Sequence, residues 1–432
     1  MFTKKTIRDI ELRGKTVILH GELDAPLNDA GTEVTSDFRV RCSLPTVQYL
    51  QEQDCKIVLI SKLGRPDGKV DKRQSLKPVA ACMAKLLGQD VHFVPDCVGD
   101  DVRQAVQSMQ PKDLIMLENL RFHPEEEENS DDFAKQIVAD TGAEIFVQDC
   151  FALAHRKEAG TDAITRCLPS VAGLHLEKEV DTITKVMEDP EKPLAAIVGG
   201  AKIADKIDVL NKFIEMADFV AVGGAMANTF LVAKGHKVGK SKYDKDELEL
   251  ARDIMDKADA KSKAGRFTFY LPQDGVVAKS ADKSAPTRLV DWDADLIADV
   301  QCYPKAPAPE TQKVAGDEMI LDVGPFSAAF IAGGIQLAHT VVWNGTLGVT
   351  ETPAITGPVG PFSHGTEVLI EALTGEFGAH PFVVVGGGDT VGYIEQRKLT
   401  DVFNHVSAGG GASLELMAGR KLPGVEALEN KD

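Results

Sequence analysis

The chain has 432 residues, with 48 Lys and Arg against 66 Asp and Glu, a formal net charge of −18 and a pI near 5.1. An acidic chain of this kind argues against general nucleic-acid binding, which draws on basic faces that release counterions. A hydrophobic content of 43% with 26% charged residues excludes a disordered chain.

At about 150 residues per domain the length suggests two or three domains. No apolar run approaches the roughly 18 residues that a membrane span needs. Met1 to Leu12 carries no apolar stretch of the signal-peptide kind, so a soluble, cytoplasmic protein without membrane or nucleic-acid partners is expected. Cys42, Cys55, Cys82, Cys97, Cys150, Cys167 and Cys302 are widely scattered without a C-x-x-C pair, which fits buried reduced thiols.

Short β-branched runs recur along the chain, each followed by a segment of helical period, the signature of a parallel sheet wrapped by helices. The first half has Thr16 to Leu19, Ile57 to Ile60, Val91 to Val94, Leu114 to Leu117 and Glu144 to Val147. Next comes Leu168 to Pro190, where Leu174, Leu176, Val180, Ile183 and Val186 keep helical spacing and no strand signal is visible. It reads as a connecting helix. The second half has Leu194 to Val198, Phe219 to Val222, Phe267 to Leu271, Val341 to Trp343 and Phe382 to Val385. The expected fold is therefore α/β, two doubly wound parallel-sheet domains, 1–170 and 191–416, joined by a hinge helix over 171–190. Tyr303 to Glu318, dense in proline, reads as a surface loop.

The glycines of the second half fall where a strand run hands over to a helix: Gly199-Gly200, Gly223-Gly224, Gly386 to Gly388 and Gly409 to Gly411. In an open parallel sheet such turns line the crevice at the carboxyl ends of the strands. There glycine admits close approach and the helix start offers free N–H groups to an anion. One such turn only ends a strand; four suggest a phosphate-bearing ligand. After the first, Ile203, Ile207, Leu210 and Ile214 predict a helix with Lys202 and Lys206 one turn apart at its start, where two cations repel each other and oppose the macrodipole. Either an anionic ligand offsets this or Asp205 and Asp208 neutralise it. In the first half Arg39 opens a helix, and Arg65, Arg121 and Arg156 follow strand runs. All four then point to one sheet edge, where guanidinium forks suit a small, multiply anionic ligand. Singly, each arginine could instead be a surface ion-pair partner, with Glu125 to Glu128 near Arg121.

Familiar nucleotide motifs fail. Gly235 to Ser241 has three residues between its glycines where a P-loop needs four, and Val391 stands where a dinucleotide fingerprint needs its last glycine. There is no G-x-S-x-G elbow and no H-E-x-x-H pair. His155 and His123, close to Arg156 and Arg121, are the best histidine candidates.

Taken together, Ser61 to Pro66 (SKLGRP), Leu117 to Phe122 (LENLRF), Ala154 to Arg156 (AHR), Gly199 to Ile207 (GGAKIADKI), Gly223 to Ala227 (GGAMA), Leu321 to Pro325 (LDVGP), Val342 to Gly345 (VWNG) with Glu351, Gly386 to Thr390 (GGGDT) and Ser407 to Ser413 (SAGGGAS) resemble phosphoglycerate kinase along essentially the whole chain. The resemblance implies a monomeric kinase whose N-terminal domain binds 3-phosphoglycerate, whose C-terminal domain binds ADP or ATP with Mg2+, and whose last residues, 417–432, return to the N-terminal domain. It implies a triose site of Glu22, Leu23, Asp24, Arg39, Lys62, Leu63, Gly64, Arg65, Arg121, His155 and Arg156. It implies a nucleotide site of Gly200, Ala201, Lys202, Lys206, Gly224, Asn344, Glu351, Gly387, Gly388, Asp389 and Thr390, with Asp389 on the metal. Arg39, Lys202, Gly386 and Gly387 would serve the transfer itself.

The departures from the family pattern concentrate in the triose half. The family's Arg-Val-Asp-Phe-Asn reads His20 to Asp24 (HGELD), its His before Leu-Gly-Arg-Pro is Lys62, and its Gly-Thr before Ala-His-Arg is Ala152-Leu153. On the nucleotide side Phe326-Ser327, Thr346 and Ala408 replace the usual residues. An acidic Asp24 and a cationic Lys62 are expected to pair and keep the pocket's net charge. The alternatives to an active phosphoglycerate kinase are a paralogue that phosphorylates another small carboxylic acid and a non-catalytic nucleotide-binding member.

Overall fold

The computed structural model describes residues 2–292, 313–357 and 359–431. Residues 303–312 of the expected loop lie outside them. The chain forms two compact units, Met1–Lys185 with Ala408–Asp432, and Val186–Ser407.

The first unit is built on β1 (Thr16–His20), β2 (Lys56–Ile60), β3 (His92–Phe93), β4 (Leu114–Met116), β5 (Ile145–Gln148) and β6 (Ser170–Ala172). All pair in parallel, in the order β3-β4-β2-β1-β5-β6. Parallel strands with helices on both faces are buried on both sides, which is why they read as unbroken apolar runs. Val17, Leu19, Ile57, Leu59 and Val147 enter one core. Ile18, Val58, Ile60 and Phe146 enter the other. The helices are punctuated locally: Asp131–Thr141 starts where the Ser130 hydroxyl accepts from Phe133 N–H and stops at Gly142 with φ 58°.

The stretch read as purely helical corrects to a strand and a helix, β6 followed by Leu174–Glu188. Three residues are too few to show an alternation, and Val171 is fully buried within the core beside β5. The chain's end adds to this unit. Lys5 N–H donates to Glu429 O at 2.7 Å, Glu429 N–H to Ser170 O at 3.0 Å and Gly424 N–H to Ala154 O at 2.8 Å.

The second unit begins with β7 (Leu194–Val198), β8 (Phe219–Val222) and β9 (Thr268–Tyr270). It continues with β10 (Asp274–Ala278), β11 (Arg288–Asp291), β12 (Met319–Val323), β13 (Thr340–Asn344), β14 (Phe382–Gly386) and β15 (His405–Val406). Its main sheet is parallel in the order β15-β14-β13-β7-β8-β9. The antiparallel sheet β11-β10-β12 is absent from the sequence expectation. Asp274, Gly275, Asp291 and Asp322 interrupt its apolar runs, and its core is small, Val277, Val290 and Val314.

Each parallel sheet is wound outward in both directions from a central pair. Strands β1 and β5 are neighbours but the chain runs from β1 through β2, β3 and β4 before reaching β5; β7 and β13 stand in the same relation. These are topological switch points, where the loops leaving two adjacent strands diverge and open a crevice.

Candidate active site

In the second unit the switch point lies between the turns after β7 and β13. Their backbones touch: a Cβ on Gly199 would meet Thr346 O at 2.2 Å, and one on Gly345, at φ +107°, would meet Gly199 C at 2.3 Å. Only glycine fits both places. Lys206 reaches into this junction, donating to Gly199 O at 2.5 Å, Asn344 O at 3.1 Å and Asn344 Oδ1 at 2.6 Å. Burial lowers its pKa to about 8, while Asp389 and Asp205 pull the other way. Asn344 is buried and its Nδ2 has no hydrogen-bond partner.

The helix Gly388–Gln396 starts beside it, with Gly387 at φ +92° and Asp389 exposed in the first turn. The Thr390 hydroxyl is fully buried and accepts from Gly345 N–H at 2.8 Å, so it pins the turn. A cavity of about 260 Å3 opens here, lined among others by Gly200, Ala201, Gly224, Glu351 and Asp389.

The lysine pair corrects one expectation. Residues 200–203 form a loop and Ala204–Lys206 a single 3-10 turn; the helix begins at Ile207, so Lys202 and Lys206 do not share a helix start. Lys202 is exposed. The loop is held by Glu247, whose carboxylate accepts from Ile203 N–H at 2.8 Å and Ala204 N–H at 3.0 Å. No local pattern announces a partner more than forty residues away.

In the first unit the candidate cations gather after β1, β2, β4 and β5, at the carboxyl edge of the sheet. Arg39 pairs with Asp24 and donates to Ala408 O at 3.3 Å. Glu22 is fully buried and accepts from Ala152 N–H at 2.9 Å. Burial, reinforced by Asp24 and Glu179 and opposed by Arg39, pushes its pKa well up. Arg121 donates to Gly64 O at 2.9 Å and to Glu158 Oε1 at 3.1 Å. Arg156 lies 3.6 Å from the same carboxylate. His155 is half-buried, which lowers its pKa, and its Nδ1 has no partner. Arg65 is exposed.

The expected pairing of Lys62 with Asp24 is not what forms. Lys62 is fully buried and its Nζ lies 2.7 Å from both Glu126 Oε1 and Glu158 Oε2, with Thr161 Oγ1 at 2.9 Å. Its chain is long enough to reach an interior pair of carboxylates, and a buried ammonium without partners would be far costlier. Leu23 and Leu63 belong to the hydrophobic core. Four expected triose residues, Glu22, Leu23, Lys62 and Leu63, thus have side chains engaged inside the protein. The acidic run Glu125 to Glu128, read as a source of ion-pair partners for Arg121, does supply one, Glu127 Oε1 at 3.3 Å from Arg121 Nε, and its Glu126 pairs with Lys62 instead. Sequence reasoning missed Glu158.

Both sheets end in an edge suited to anions, one in glycine turns and lysine, the other in guanidinium groups. The class so defined is a two-unit α/β protein built to hold phosphate-bearing ligands. The phosphoglycerate kinase family model matches residues 7–420. The phosphoglycerate kinases of Moorella thermoacetica and Pelotomaculum thermopropionicum are each 40% identical over 428 residues, covering 99% of this chain and 100% of their own. The solved phosphoglycerate kinase of Coxiella burnetii superposes with a TM-score of 0.78 at 32% identity, covering 98% of each chain. That of Pyrococcus horikoshii OT3 gives 0.81 at 27%, covering 99% of this chain and 98% of its own. The chain belongs to the phosphoglycerate kinase family.

Proposed function

We propose that the protein catalyses reversible phosphoryl transfer between 1,3-bisphosphoglycerate and ADP, giving 3-phosphoglycerate and ATP, with the triose on the first unit and the nucleotide on the second. The observation that carries this reading is the Lys206–Asn344 junction at the second unit's switch point. It is a half-buried cation beside an unpartnered amide donor, with a helix start and a cavity next to it. Phosphoryl transfer asks little covalent chemistry of a protein and much positioning and charge stabilisation.

In this reading Lys206, Asn344 and the N–H groups of Gly386 to Gly388 hold phosphates, and Gly200, Ala201, Gly224 and Glu351 border the nucleoside. Arg65, Arg121, His155 and Arg156 hold the triose. Arg39 and Lys202 attend the transferring group. Mg2+ takes one or two carboxylates together with phosphate oxygens and water. The exposed Asp389 carboxylate on the cavity wall fits that donor set. When bound, Mg2+ would neutralise charge on the β- and γ-phosphates. With the two ligands on different units, the reaction requires a closing motion. The same reading takes the enzyme as a cytoplasmic monomer.

A coupled assay of ATP consumption with 3-phosphoglycerate tests the reading, and turnover is expected. Turnover only with a different small acid would replace it by a paralogous kinase. Nucleotide binding without turnover on any such acid would make the protein a non-catalytic member.

A further inference from the structure

Of the arginines that the proposed function places at the triose and the transferring group, Arg39, Arg121 and Arg156 already have carboxylates of their own. Glu158 Oε1 takes Arg121 at 3.1 Å and stands 3.6 Å from Arg156, while its Oε2 takes Lys62 at 2.7 Å. Lys62 has Glu126 as a second carboxylate at 2.7 Å, and Arg39 has Asp24. Only part of each guanidinium is used: the Nε atoms of Arg121 and Arg156 are buried with no hydrogen bond, although Glu127 Oε1 lies 3.3 Å from the former. The side chains of Arg39, Asp24 and Arg156 are 26%, 24% and 36% exposed, so this edge is open to solvent, with Glu158, 5% exposed, on its floor.

Resting on the phosphoglycerate kinase reading, we propose that Asp24 and Glu158 are resident counter-anions of the triose pocket. They are specificity-determining residues that keep its arginines oriented and partly neutralised, so that isolated small anions are refused. Five cations (Arg39, Lys62, Arg65, Arg121, Arg156) face four carboxylates (Asp24, Glu126, Glu127, Glu158), an excess of one positive charge. Glu22 adds little negative charge, because burial holds it toward its neutral form. Glu158 stays ionised through the physiological range, since Lys62 and Arg121 overcome its burial and hold its pKa at about 2.

A lone dianion that approaches Arg121 and Arg156 offers the guanidinium groups only what Glu158 already supplies, and it loses its own hydration on the way in. A ligand with a carboxylate and a phosphate on one short frame does better. It can engage Arg65 and the unused guanidinium edges together, with the second contact made at high effective concentration. The internal carboxylates thus convert a general anion sink into a pocket selective for a two-headed acid. A purely structural role for Glu158 makes the opposite forecast, because a loosened arginine would bind every anion worse.

Titration calorimetry at fixed ionic strength separates the two, using inorganic sulfate and 3-phosphoglycerate against the wild type, Glu158→Gln and Asp24→Asn. Glu158→Gln is expected to tighten sulfate about tenfold and 3-phosphoglycerate by less, so that discrimination between them falls. Asp24→Asn, at the more exposed pair, should act in the same direction by a few-fold. Sulfate bound no more tightly by either variant than by the wild type overturns the proposal. Should Glu158→Gln fail to fold, Asp24→Asn decides alone. Failure of the kinase reading shows elsewhere, as a wild type that neither binds nor turns over 3-phosphoglycerate, and the sulfate comparison still stands.

Discussion

Lys206 keeps a charge where its surroundings resist one. Its ammonium is satisfied by Gly199 and Asn344 oxygens, yet burial brings its pKa from 10.5 down to about 8. An arriving phosphate favours the protonated form. Nucleotide binding should therefore take up a proton above pH 8, with affinity for ADP falling by up to about tenfold per pH unit there. Calorimetry of ADP binding between pH 7 and 9.5 checks this, and Lys206→Met should bind more weakly at pH 7 and lose the slope. The effect on stability has the opposite sign. A lysine whose folded pKa lies below its unfolded one carries fewer protons when folded, so the ligand-free protein gains stability as pH rises from about 8 to 10.5.

At the scale of elements, the site is made by turns that must meet. Gly199→Ala would place a methyl group 2.2 Å from Thr346 O and within 2.8 Å of Gly345, backbone that cannot swing aside. It should reduce ADP affinity at least tenfold while the first unit unfolds as before, measured by calorimetry and by hydrogen exchange resolved by segment across a urea series. Asp322, at the end of β12, ties two further segments together, accepting from Val323 and Gly365 N–H at 2.9 Å each. Burial raises its pKa from 3.8 to about 7 against the pull of those donors. The folded state therefore holds a proton that the unfolded chain releases, and this group's contribution to stability falls as pH rises from about 4 to 7. Asp322→Asn should flatten that part of the pH profile of the second unit's urea midpoint.

What the sequence revealed follows the same division. Strands such as Leu194–Val198 were legible because a doubly covered parallel sheet writes itself as an apolar run, and the turns at Gly199 and Gly223-Gly224 because a Cβ there would collide with the neighbouring turn. Ser170–Ala172 and Asp274–Ala278 were not, one being too short to show a period and the other interrupted by polar residues whose partners are distant. The arginines could be read because they follow strands; Glu158, 96 residues from Lys62, could not, since an ion pair across that separation leaves no periodic trace.

For the whole molecule the main fact is that the chain leaves its first unit at Lys185 and returns to it at Ala408. The returning segment is anchored by apolar side chains as well as by backbone bonds: Leu422, Val425 and Leu428 are 2%, 8% and 3% exposed. Lys4 Nζ donates to Glu426 O at 2.9 Å and Leu428 O at 3.2 Å. A chain ending at Arg420 loses all three side chains from the core. At about 1.5–3 kcal/mol for each fully buried one, reduced because an unfolded chain is never fully exposed, the loss is on the order of 5 kcal/mol. That is comparable to the whole stability of a marginal domain. The truncated protein should therefore show a first-unit unfolding transition at much lower urea and an unchanged second-unit transition, with ADP affinity retained. Calorimetry of ADP binding and hydrogen exchange resolved by segment would read both. Loss of protection confined to Thr3 to Lys5 and β6, which bond the tail directly, would mean that it only trims an edge; loss throughout β1, β2 and β5 would make the return of the chain a condition for folding the triose-binding unit.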